Sequence, residues 1–244
     1  MSALIDYTLH LADNALILGQ RNSEWCGHGP ILEQDIAITN ISLDLIGQSR
    51  SLYQYAAKLK ADGSTEDSLA YLRTEREFKN CLLVEQLNGD WAQTMLRQFL
   101  FSCYQFYLYK YLQSNPDKII AAIAEKSLKE VSYHLRWSSE WVIRLGDGTE
   151  ESRNRMMTAI DELWRYTGEF FIAAPYEIEL NIDLASLKTE WDNKVKAVME
   201  EATLPFPEKV FMQTGGKAGT HTEQLGYILS DLQYMQRVYP GCEW

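Results

Sequence analysis

Apolar residues return every three or four positions along almost the whole chain, which is the repeat of one helix face. Leu4, Leu9, Leu11, Leu16 and Leu18 mark a first helix over about 3–20. A turn at Trp25-Cys26-Gly27-His28-Gly29-Pro30 interrupts the pattern. Ile31, Ile38, Ile41, Leu45, Leu52 and Leu59 then predict a long helix over 31–60, ended by Asp62-Gly63-Ser64. A shorter one follows at 66–77. Asn88-Gly89-Asp90 is a turn whose aspartate caps a helix over 91–113, apolar on nearly every face, as expected of a central helix or one covered by a partner. Asn115-Pro116 suggests an N-cap followed by Pro at the first helical position, opening a helix that runs to Leu145. Further helices are expected over 151–174 and 186–201, with 176–184 as an extended linker. Thr220-His221-Thr222-Glu223 matches a capping box and predicts the start of a last helix that ends near Tyr239-Pro240-Gly241.

The expected fold is therefore all-α. Four long helices (3–20, 31–60, 91–113 and 117–145) could form an up-down bundle over 1–175, with 176–244 as a C-terminal helical extension packed on it in a single domain. The 244 residues are enough to bury a sizeable core. A net charge of −11 without a clustered Lys/Arg strip argues against nucleic-acid binding. Cys26, Cys81, Cys103 and Cys242 show no CxxC spacing, so zinc and redox motifs gain no support. Met1 to Leu11 carries Asp6 and no basic segment, unlike a signal peptide. Phe99–Leu112 is too short to span a bilayer. A reducing cytoplasm fits all of this.

The histidines decide what chemistry such a bundle could support. Di-iron proteins of the ferritin-like class use a lone Glu on each of two helices and a Glu-x-x-His pair on each of two others. That spacing brings carboxylate and imidazole to one helix face. Here the residues three before the histidines are Tyr7 for His10, Trp25 for His28, Val131 for His134 and Ala218 for His221. Half-motifs survive: Asp44 with Gly47 where a histidine would stand, His134 with Val131 where an acid would stand, and Asp13 as a lone carboxylate on the first helix. Two carboxylates and one imidazole fall short of a di-iron ligand set, so no di-iron site and no catalytic residue is expected in this chain, and weak binding of one metal ion is the alternative. Glu130 and His134, four apart, suit a helix-stabilising contact or an acid–base pair. Cys26 and His28 share a turn but lack an orienting partner, and a catalytic role is not expected. The loop Thr214-Gly215-Gly216-Lys217-Ala218-Gly219 lacks P-loop order; it is a tight turn, or else a contact for a phosphate-bearing ligand or a neighbouring subunit. Seven Trp and fourteen Tyr exceed the needs of one bundle, so part of this aromatic surface is expected to face a partner.

Several separated segments resemble one family. These are Glu24 to Pro30, Leu43-Asp44-Leu45-Ile46-Gly47-Gln48, Leu83 to Gly89, Lys129-Glu130 through Arg136, Leu163-Trp164-Arg165, and Thr214 to Glu223 followed by Gln233-Tyr234 and Gln236-Arg237. In order and spacing they resemble the C-subunit family of multicomponent phenylacetyl-coenzyme A epoxidases, assemblies of the bacterial multicomponent monooxygenase type. The resemblance implies a ferritin-like bundle without metal that supports a related catalytic A subunit. That subunit would hold the di-iron centre and the acyl-coenzyme A. A small B subunit and a reductase carrying FAD and a 2Fe-2S cluster, fed by NADPH, would complete the assembly, which forms a ring 1,2-epoxide in aerobic phenylacetate degradation. The chain alone is expected to self-associate. The competing readings are an autonomous metal-dependent oxidase and an acyl-coenzyme A binding module with Lys217 at the phosphates.

Overall fold

The computed structural model describes residues 2–242; Met1 lies outside them, as do Glu243 and Trp244. The fold is all-α and ferritin-like in its helix inventory, with no strand among the described residues. Its helices are α1 Ser2–Ser23, α2 Leu32–Lys60, α3 Glu66–Tyr71, α4 Leu82–Glu85, α5 Trp91–Leu112, α6 Lys118–Gly146, α7 Glu150–Leu163, α8 Pro175–Glu179, α9 Leu184–Glu201 and α10 Glu223–Val238. Two compact units divide them, each assembled from stretches distant in sequence.

The first unit comprises residues up to Glu85, Ala174–Ile182, and Gly215 onward. Its base is the hairpin of α1 and α2. Gly19 makes that close approach possible: a Cβ there would already touch Leu45 and Ile46 of α2 at 3.3 Å. Helices α4, α8 and α10 also pack on α1, so its residues are buried almost continuously from Tyr7 to Leu18. Burying a whole helix requires that its polar side chains find partners. His10, Asp13 and Asn14 sit on one face at i, i+3 and i+4, and their partners define the site described below.

The second unit comprises Gln86–Ala173 and Asp183–Thr214. Here α5 is the central helix, packed by α6, α7 and α9. Its core is aromatic. Tyr104 stacks on Phe170 with ring centres 4.7 Å apart, and Trp191 donates its indole N–H to the Leu100 carbonyl at 2.9 Å. Trp91 meets Trp137 and Trp141 edge-on. Gly146 ends α6 where a Cβ would lie 2.4 Å from the Ala202 carbonyl oxygen, a position no larger residue could occupy unchanged.

Several boundaries differ from the sequence expectation, each for a local reason. The N-cap of α6 is Asp117, whose carboxylate accepts the amides of Ile119 and Ile120, while Asn115 accepts the Asp117 amide. The helix expected over 151–174 stops at Leu163 and continues as two 3-10 turns, Trp164–Tyr166 and Gly168–Phe171. The helix expected over 66–77 likewise breaks into α3 and a 3-10 turn at Glu75–Glu77. The extended linker expected over 176–184 contains α8, started by Pro175 and held by Glu177 accepting the Ala174 amide at 2.8 Å. Three alternating apolar residues are too short a run to separate strand from helix.

Candidate functional site

The functional question centres on the polar face of α1, in the first unit. Asp13 is fully buried, and both its oxygens are engaged. One accepts the Tyr53 hydroxyl at 2.5 Å and an Arg73 N–H; the other accepts the second Arg73 nitrogen at 3.1 Å and the Lys79 amide at 2.8 Å. Arg73 also donates to the Leu69 and Glu77 carbonyls, and its guanidinium lies 4.2 Å from the centre of the Phe78 ring. Burial opposes the Arg73 charge, but Asp13 and Tyr53 outweigh it and hold the guanidinium protonated more firmly than usual. Burial and the Asp13 charge push the Tyr53 hydroxyl well above the ordinary tyrosine range, so it remains a donor. A forked arginine–carboxylate pair of this kind closes the carboxylate to other cations.

His10 and Asn14 complete the face. His10 Nδ1 lies 2.7 Å from the Lys79 carbonyl, and Asn14 accepts the Cys81 amide at 2.8 Å. Burial drives the His10 pKa down to about 4, with Glu177 opposing, so the ring is neutral and Nδ1 carries the proton that Lys79 accepts. Three side chains of α1 thus hold the irregular segment between Phe78 and Cys81 by its backbone. A helix or sheet would have satisfied those groups internally; here α1 supplies the partners.

A second cluster anchors the C-terminal part of the unit. Glu85 is fully buried. Its carboxylate accepts from Asn80, from His221 Nδ1 at 2.8 Å, and from both the amide and the hydroxyl of Thr222. His221 Nε2 faces the Phe78 carbonyl at 3.0 Å. Both ring nitrogens face acceptors, which favours the imidazolium. Burial opposes that charge; the Glu85 hydrogen bond and charge outweigh it, and the His221 pKa is raised. This corrects the capping box expected at Thr220–Glu223. The N-cap of α10 is Thr222, and its hydroxyl turns to Glu85 instead of capping the helix.

Lys217 is also buried, and its ammonium lies 3.0 Å from the Glu177 carboxylate. Its loop packs against backbone: a Cβ on Gly216 would fall 2.2 Å from the Asn80 carbonyl oxygen, and one on Gly219 would fall 2.3 Å from that of Arg76. The loop is a packed turn whose lysine is turned inward to Glu177.

The residues singled out as metal half-motifs are thus placed as follows. Asp13 is bonded to Arg73 in the first unit. Asp44 belongs to α2 in the same unit and is half-buried. His134 is buried on α6 in the second unit. Among the described residues no three His, Cys, Asp or Glu side chains converge as a metal-ligand set. The donors around Asp13 are an arginine, a phenol and an amide N–H, which do not fit a cation. The residues that sequence reasoning passed over are Asn14, Tyr53, Arg73, Glu85 and Glu177. The one signal for them was three polar residues sharing a face of an otherwise apolar helix.

Comparison with known proteins places this architecture. The family described as phenylacetic acid catabolic protein matches residues 1–244. The C subunit of 1,2-phenylacetyl-CoA epoxidase from Escherichia coli (strain K12) is 47% identical over a 249-residue alignment that covers all of both chains. The chain belongs to the phenylacetic acid catabolic protein family.

Proposed function

We propose that this chain is the C-type subunit of a phenylacetyl-coenzyme A epoxidase and serves there as a non-catalytic partner that keeps the catalytic A subunit folded and soluble. The observation that carries this reading is the occupancy of Asp13. The carboxylate that the sequence offers as a lone ligand on α1 is paired with Arg73 and holds backbone instead. The full-length identity to a relative named as the C subunit of such an enzyme supports the assignment. In this reading the di-iron centre belongs to the A subunit, and FAD, the 2Fe-2S cluster and NADPH belong to the reductase. A small B subunit joins the complex, which works in the cytoplasm. No helix among the described residues is long and apolar enough to cross a membrane.

An exposed apolar stripe on α2 supports a partnered role. Leu32, Ile36, Leu43 and Ile46 follow the four-three spacing of one helix face and are all exposed. The test is purification of the chain from iron-replete cells, alone and with the A subunit. Alone, it is expected to carry far less than one iron and to leave phenylacetyl-coenzyme A unchanged in the presence of reductase and NADPH. Together, the A subunit should shift from the insoluble to the soluble fraction. Two tightly held irons with turnover by the isolated chain would overturn the proposal.

A further inference from the structure

The first unit carries a groove that the polar core does not use. One wall is the segment Arg73–Arg76; the other is the face of α10 from Gly226 to Val238. Its volume is about 670 Å³. Twelve helical steps of 1.5 Å make it roughly 18 Å long, the length of three helical turns. Gln233 forms part of its floor and donates to the Ala70 and Arg73 carbonyls. Tyr234 and Val238 supply exposed apolar surface, 59% and 46% exposed, over the buried Leu229.

The charges of the groove run against those of the molecule. The whole chain carries −11. Of the charged residues in the groove, Arg73 is neutralised by Asp13, which leaves Arg76 and Arg237 against Glu75. Arg76 and Arg237 are exposed, and neither forms an ion pair among the described residues; Arg237 donates to the Arg73 carbonyl. Exposed Tyr227 lies about two turns before Tyr234 and extends the same helix surface. Tyrosine and arginine are among the residues enriched where proteins bind one another.

We infer that this groove docks a helical segment of another epoxidase subunit, one with an apolar face flanked by carboxylates. The inference rests on the subunit role proposed above. The apolar face would lie on Tyr234 and Val238, and the carboxylates would meet Arg76 and Arg237. Elsewhere the acidic surface repels such a segment, so the two arginines select where it lands. A second copy of this chain fits less well. It would have to offer a different face, such as the acidic groove around Asp90, Glu150, Glu151 and Glu162 of the second unit. Contacts between unlike faces propagate into open chains unless the rotation closes them.

The test measures binding of the full chain to the co-expressed A and B subunits at low and high salt, with hydrogen exchange on the complex. Salt should weaken wild-type binding, and α10 amides should gain protection. The Arg76→Glu/Arg237→Glu variant should lose affinity by at least about tenfold and most of its salt dependence. The Arg76→Lys/Arg237→Lys variant should stay close to wild type, and unchanged thermal melting would show that both variants fold. Wild-type affinity in the charge-reversed variant would refute the groove assignment while leaving the subunit role intact. Polymers of the isolated chain that charge reversal dissolves would refute it in favour of self-assembly. Failure of the wild type to bind either subunit would overturn the subunit role, and the groove's occupant with it.

Discussion

Asp13 shows how one residue fixes the character of the interior. A carboxylate with no accessible surface is tolerated only when its charge is matched and its lone pairs are filled. Arg73, Tyr53 and the Lys79 amide do both. Replacing Arg73 by methionine should therefore destabilise the protein by about 3–5 kcal/mol in chemical denaturation, because Asp13 would remain buried without its counter-charge. The double variant Asp13→Leu/Arg73→Met should recover most of that loss, which separates the charge effect from packing. Gly216 offers a second test. The Asn80 carbonyl lies where a Cβ would go, so Gly216→Ala should cost about 1–3 kcal/mol by forcing the loop off the backbone it packs against. Asp13 itself stands out in the sequence as an acid in an apolar helix. Its partner does not, because Arg73 lies sixty positions away and nothing local announces it.

The elements are held together by two histidines that titrate in opposite senses. His10 keeps its proton on one nitrogen only, and its pKa falls from 6.5 in the unfolded chain to about 4. The unfolded chain therefore takes up the extra proton first as pH falls. Stability should decline from pH 6.5 toward 4, by about 3 kcal/mol from this group alone. His221 behaves inversely. Its pKa is raised, so its contribution is complete below 6.5 and is lost as pH climbs through the folded value. Urea denaturation between pH 4 and 9 should show both slopes. His10→Gln should flatten the acidic one and His221→Gln the alkaline one. Long periodic helices such as α2, α5 and α9 were legible in the sequence because their apolar spacing persists for many turns. The start of α10 was not. Thr220 and Glu223 satisfy a local motif, but Glu85, 137 positions before Thr222, draws the threonine's hydroxyl away from the cap. The short pieces of structure at α8 and after Leu163 were hidden for a related reason: runs of three to five residues carry too few repeats to show a period.

For the whole molecule, the family could be recognised in the sequence because its motifs are spread along the full length in order. The interior that gives those motifs their purpose could not. The residues of the two polar clusters are recognisable as a set only once the chain has folded. At this scale the α2 stripe makes its own prediction. The isolated chain should self-associate in sedimentation, and Leu43→Asp should return it to the monomer without lowering its melting temperature, since Leu43 is 61% exposed. A strictly monomeric wild type would contradict this. The grip of α1 on the Phe78–Cys81 backbone also limits what sequence change can do next. Writing a Glu-x-x-His pair into α1 by Tyr7→Glu would supply the right letters at the right interval, yet the imidazole is already engaged and the new carboxylate would be entombed without a counter-ion. Such a variant should lose stability and acquire no iron. A helix face that serves as the scaffold for its own chain can take up a metal only if that scaffold is rebuilt, which no single substitution does.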